Sequence, residues 1–185
     1  QVPQYLLRAG FKRIALTQPR RVAATALARR VSHETLNEWG GEIAYKIRFD
    51  TTNDGARTRV LFMTEGVLLR QLCADPDLHE FDVVVIDEAH ERHLNTDLAL
   101  GLLKSITERR AEFRLVIMSA TIDLEMFARY FGGCPAISVP GRLHPIKLTY
   151  LDANLAGGRR VDRADEKPTI VGSNPSRRGF RNRDT

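Results

Sequence analysis

The chain has 185 residues, 43% of them hydrophobic, so it can bury an ordinary core, and one domain with a tail is the simplest count. A formal net charge of +5 leaves the fold open but favours an anionic partner, nucleic acid first. No run of about 18 apolar residues suggests a membrane span, and no charged-then-apolar leader is evident. Cys73 and Cys134 lack metal spacing, which leaves them as reduced thiols of an intracellular protein.

In chain order, residues 1–10 read as the end of a helix closed by Gly10, with Val2, Tyr5, Leu6 and Leu7 apolar. Residues 12–18 read as a short strand stopped by Pro19. Residues 22–36 form a helical pattern on Val22, Ala26, Leu27, Ala28, Val31 and Leu36, ended by Gly40 and Gly41. Alternation over 43–49 predicts a half-exposed strand, and Asn53-Asp54-Gly55 a turn. Residues 59–63 are the next apolar strand; Thr64-Glu65-Gly66 then opens a helix through Cys73 that Asp75-Pro76-Asp77 closes.

Val83-Val84-Val85-Ile86 predicts a strand buried on both faces, and it ends abruptly in Asp87-Glu88-Ala89-His90-Glu91-Arg92. Asn95 or Thr96 is expected to cap the helix that follows, with Leu98, Leu100, Leu102, Leu103 and Ile106 on its apolar face. Residues 113–118 read as another buried strand with Ser119-Ala120-Thr121 as its exit. A short helix over 123–131, stopped by Gly132-Gly133, and two further strands at 136–139 and 146–151 complete the pattern. From Asp152 the texture changes to Gly157-Gly158-Arg159-Arg160, Asp165-Glu166-Lys167-Pro168 and Arg181-Asn182-Arg183. This stretch is too poor in apolar residues to order itself, and its arginines would add weak, salt-sensitive affinity for RNA.

Strands alternating with helices at this spacing predict an α/β fold, a mainly parallel sheet flanked by helices. The exits at Thr17-Gln18-Pro19-Arg20-Arg21, Thr64-Glu65-Gly66, Asp87-Glu88 and Ser119-Ala120-Thr121 would share one edge, the edge where such sheets bind ligands. Asp87 there suits a magnesium ion bound to nucleotide phosphates, directly or through water, and Glu88 suits proton removal from an attacking water. The same acids equally suit the cap and first turn of a helix. A zinc site at His90-Glu91-Arg92-His93 fails on spacing, because two ligands on one helical face stand at i and i+4 and these histidines are three apart.

With these exits in this order, residues 1–151 resemble the first RecA-like domain of DEAH-box RNA helicases, in the second helicase superfamily. Thr17-Gln18-Pro19-Arg20-Arg21 is similar to that family's motif Ia, Thr64-Glu65-Gly66 to Ib, Asp87-Glu88-Ala89-His90 to II and Ser119-Ala120-Thr121 to III. Tyr45-Lys46-Ile47-Arg48-Phe49 and Pro140-Gly141-Arg142 also look like family segments. The resemblance implies an ATP-dependent RNA helicase, nuclear or cytoplasmic, that couples RNA-stimulated hydrolysis to remodelling of duplexes or ribonucleoproteins. It implies ATP and Mg2+ as cofactors, with Asp87 on the metal, Glu88 on the water, and His90, Ser119 and Thr121 sensing the γ-phosphate. Arg30, on the helix after motif Ia, would stack on the base. Thr17, Gln18, Arg20, Arg21, Thr64, Glu65 and Gly66 would grip the backbone of single-stranded RNA, or the overhang of a duplex, without reading sequence. For Arg92 and His93 a local structural role is as good an expectation as a catalytic one.

Two departures from the pattern matter. The family's phosphate-binding loop, ending in Gly-Lys-Ser/Thr, and its second RecA-like domain do not occur in this sequence. Without them the chain by itself is expected to be inactive, as a fragment of a parent that also supplies the second domain and meets an activating protein partner. The alternative is a truncated, non-hydrolysing product that only binds RNA or protein.

Overall fold

The computed structural model of the chain describes residues 1–36, 41–120, 124–139 and 141. Gln1–Ile137 forms one compact unit that carries all the described elements. The expected strand at 146–151, the tail at 152–185, and Thr121, Pro140 and Arg142 lie outside the described residues.

The order is α1 (Val2–Arg8), β1 (Ile14–Gln18), α2 (Arg21–Glu34), β2 (Ile43–Ile47), β3 (Asp50–Thr51), β4 (Val60–Thr64), α3 (Glu65–Ala74), β5 (Val83–Ile86), a 3-10 turn (Ala89–Glu91), α4 (Leu94–Arg109), β6 (Arg114–Ile117) and α5 (Leu124–Tyr130). The six strands form one sheet in the order β3-β2-β4-β1-β5-β6, parallel throughout except for β3, which pairs antiparallel with β2. The fold is therefore of the α/β, RecA-like kind, a mainly parallel sheet flanked by helices.

Burial follows the two-residue period of the strands. Ile14, Leu16, Val83 and Val85 share one core cluster with Ala24, Ala28 and Val31 of α2. Ala15, Val84, Ile86, Leu61 and Met63 face the other way, onto Leu68 and Leu72 of α3 and Leu103 and Ile106 of α4. Because both faces are covered, the four residues of β5 are 0–1% exposed, which is why the sequence there is uninterrupted apolar.

Register sets the edge. Gln18 pairs with Thr64, Thr17 with Ile86, and Ile86 with Ile117, so the carboxyl ends of β4, β1, β5 and β6 finish level.

Several expected features are corrected. Residues 43–49 are not one half-exposed strand: β2 is buried between β3 and β4, and Arg48 and Phe49 form the turn into β3, Phe49 at a φ of +67°. The α4 helix starts after an extended His93, not at Asn95 or Thr96, because the Thr96 hydroxyl donates instead to Glu65 at 2.5 Å. Leu98 and Leu102 are 52% and 49% exposed, while Thr96, Ala99, Leu100, Leu103 and Ile106 are buried. As an outer strand, β6 is only half-buried. Residues 136–139 form no strand, and Ile137 and Val139 are 86% and 84% exposed. No described helix is long and apolar enough to cross a membrane.

Candidate active site and nucleic-acid interface

The carboxyl edge of the sheet turns polar at once, and its exits are bonded to one another. Asp87 leaves β5 half-buried. One of its oxygens accepts the Gln18 side-chain amide at 2.5 Å, and the other accepts the Glu88 backbone amide at 2.9 Å. Gln18 is 3% exposed, so a buried amide and a carboxylate satisfy each other where either alone would be costly. Glu88 is held at a φ of +55°, a conformation that costs an L-residue on the order of 1 kcal/mol. The turn it makes leaves its side chain 43% exposed, with the His90 Nε2 atom 3.5 Å away.

The β6 exit is stitched to the same turn. The Ala89 amide donates to the Met118 carbonyl at 3.1 Å, and the Ala120 amide to His90 Nδ1 at 3.2 Å. An N–H donated to Nδ1 makes that nitrogen the acceptor and leaves Nε2 for the proton. Ser119 is exposed beside this contact. Thr121 lies outside the described residues. Among the described residues no cluster of three His, Cys, Asp or Glu surrounds a metal position. Magnesium on nucleotide phosphates asks for less, one or two carboxylates plus waters, and Asp87 keeps a free lone pair on each oxygen.

Beside this turn runs a groove of about 620 Å³ over the ends of β2 and β4 and the start of α3. Arg21, Lys46, Arg48 and Arg70 line it, with Thr64 and Gly66 at its floor, and the acidic turn is outside its lining. Arg21 donates to the Arg48 carbonyl at 3.2 Å, and Phe49, 89% exposed at the tip of the turn, has the Arg48 guanidinium 4.8 Å from its ring centre. Four cations and an open aromatic ring suit a phosphate backbone and a stacked base.

The structure thus separates the residues singled out in the sequence into three groups. Arg20, Arg21 and Gly66 are exposed and Thr64 half-buried; Arg21, Thr64 and Gly66 line the groove, and Arg20 lies 3.3 Å from Glu91. Thr17 and Gln18 are buried and turned inward, Thr17 with its hydroxyl 3.5 Å from the Val85 carbonyl, and Glu65, also buried, contributes to the groove wall. Arg30 stands apart on the open face of α2, its Nε 2.8 Å from Glu34. That hydrogen bond, aided by one from Gln4, draws the Glu34 carboxyl below the usual carboxylate range and raises the guanidinium's own value. Sequence reasoning assigned no role to Lys46, Arg48, Phe49 or Arg70. The signal for them was an arginine beside an aromatic residue where a strand pattern runs into a turn.

No family model matches the chain. It is 47% identical over 150 residues to "Probable ATP-dependent RNA helicase DHX34" of Homo sapiens, an alignment covering 81% of this chain and 13% of that protein. It is 44% identical over 160 residues to "ATP-dependent RNA helicase DHX33" of Homo sapiens, covering 81% and 22%. It is 41% identical over 167 residues to "Probable ATP-dependent RNA helicase DHX40" of Rattus norvegicus, covering 86% and 21%. The chain thus spans between 13% and 22% of the length of these relatives. With the ordered motifs and the RecA-like sheet, these matches mean that the chain belongs to the DEAH-box RNA helicase family, as part of its first RecA-like domain.

Proposed function

We propose that this chain is the part of an ATP-dependent RNA helicase where the state of bound ATP is turned into grip on RNA. The observation that carries the reading is the bonding of two neighbouring exits to one acidic turn: Gln18 to Asp87 from β1, and Ala120 to His90 from β6. Mg2+, when bound, supplies charge neutralisation on the phosphates. Asp87, oriented by the Gln18 amide, would hold it. Glu88, its side chain 43% exposed, orients and deprotonates the hydrolytic water. His90, with Ser119 and Thr121, reports the γ-phosphate to a second RecA-like domain, and Arg30 leaves Glu34 to stack on the base.

Arg20 and Arg21, with the groove cations Lys46, Arg48 and Arg70, hold the phosphates of a single strand or of a duplex overhang. Phe49 offers a base its face, and Thr17, Gln18 and Glu65 support this grip from inside. These contacts carry no sequence code, so the RNA is chosen elsewhere, by other domains or an activating protein partner. We assign residues 1–151 to the helicase domain and 152–185 to an auxiliary basic tail, in a nuclear or cytoplasmic protein.

The test is RNA-stimulated ATP hydrolysis, measured on this chain and on a longer protein that includes the family's phosphate-binding loop and second domain. Turnover by the longer protein alone is the expected result. Absence of turnover in both, with both folded and RNA bound, would replace this reading by that of a non-hydrolysing RNA-binding module, for which the separate groove suffices.

A further inference from the structure

His93, the residue before α4, has a carboxylate at each ring nitrogen. Its Nδ1 is 3.6 Å from Glu65 at the start of α3, and its Nε2 is 3.3 Å from Glu91 in the 3-10 turn. The Glu65 side chain is only 7% exposed, and among the described residues His93 is its one ion-pair partner, with the Thr96 hydroxyl as its other support. A carboxylate that far from water needs such partners. The second oxygen of Glu91 meets Arg20 at 3.3 Å, and the Glu91 amide donates to the Glu88 carbonyl at 3.0 Å.

Arg20, Glu91, His93, Glu65 and Thr96 therefore form a continuous polar chain across the exits of β1, β5 and β4. At one end is an exposed cation, Arg20, next in sequence to Arg21, which lines the groove. In the middle is the turn that carries Glu88.

We infer that His93 is a positioning residue that couples RNA occupancy to hydrolysis, acting through Glu65 and Glu91; the inference rests on the functional reading above. Set between the two carboxylates, the ring holds the loop at the groove and the acidic turn at one spacing. RNA that draws Arg20 away from Glu91 shifts the turn that bears Glu88. Removing the ring leaves RNA contacts and nucleotide contacts intact but uncoupled.

The experiment compares full-length wild-type protein with His93→Leu and His93→Arg, using single-stranded homopolymer RNA. It reads kcat at saturating RNA, the RNA Kd and the thermal midpoint. His93→Leu should lower the RNA-saturated kcat about tenfold while Kd moves less than about threefold, and the midpoint falls because Glu65 loses its ion-pair partner. His93→Arg, which offers two donors to the same two carboxylates, should recover most of the turnover. Full RNA stimulation in His93→Leu overturns the inference and leaves the helicase reading standing. A joint fall of turnover, affinity and midpoint that His93→Arg does not reverse makes His93 a packing residue and overturns it as well. A wild-type protein without RNA stimulation overturns the functional reading itself, and the inference with it.

Discussion

Gln18 and Arg20 are two positions apart on the same exit and serve opposite sides of it. Gln18 is turned in, onto Asp87, while the Arg20 side chain is 77% exposed beside Glu91. Only the outward side chains are free to meet an anionic strand directly. Replacing Arg20 and Arg21 with Ala should weaken RNA affinity about equally for every sequence and reduce the slope of log K against log salt by roughly 2. Binding titrations at several salt concentrations check this, and a loss confined to one RNA sequence would contradict the backbone grip.

The residue types and order of this site are readable in the chain, but the inward turn of Gln18 is not. A glutamine in a polar loop ordinarily faces water. Here its partner is a carboxylate 69 positions away, which no local pattern reveals. His93 was ambiguous for the same reason, since its two carboxylates come from different loops.

Strands were the more legible elements. Four β-branched residues in a row at Val83–Ile86 leave room for little but a strand covered on both faces, and the neighbouring β1 and β4 follow the same logic. The helix α4 shows where periodicity fails. Leucines at 94, 98, 100, 102 and 103 lie nearly all round it, so apolar spacing alone cannot say which face is inward. Packing decides: Leu103 is 0% exposed under the sheet, whereas Leu98 is 52% exposed. In denaturant unfolding, Leu103→Ala should cost about 2–5 kcal/mol and Leu98→Ala under about 1 kcal/mol. Equal costs would place the sheet-facing side of α4 wrongly. The β2 pattern misled for a second reason: its alternation continued into Arg48 and Phe49, where a two-residue antiparallel return strand imposes a turn instead.

At the scale of the whole molecule, one edge of a six-stranded sheet carries both a basic groove and an acidic turn. Opposite charges this close suit opposite tasks, RNA phosphates on the groove side and metal-bound nucleotide on the turn. The level register of four strand ends brings them together. That shared edge could be anticipated from strand and helix spacing, whereas the groove could not, because it depends on how the β2–β3 turn stands beside α3. The role proposed for Glu88, hydrolytic base of this edge, is the one on which ATP turnover depends. The most direct measurement is ATP binding and RNA-stimulated turnover of Glu88→Gln in the complete protein. The expected result is a nucleotide Kd within about threefold of wild type and a kcat reduced at least about 100-fold. Unchanged turnover would contradict it and remove Glu88 from the base role.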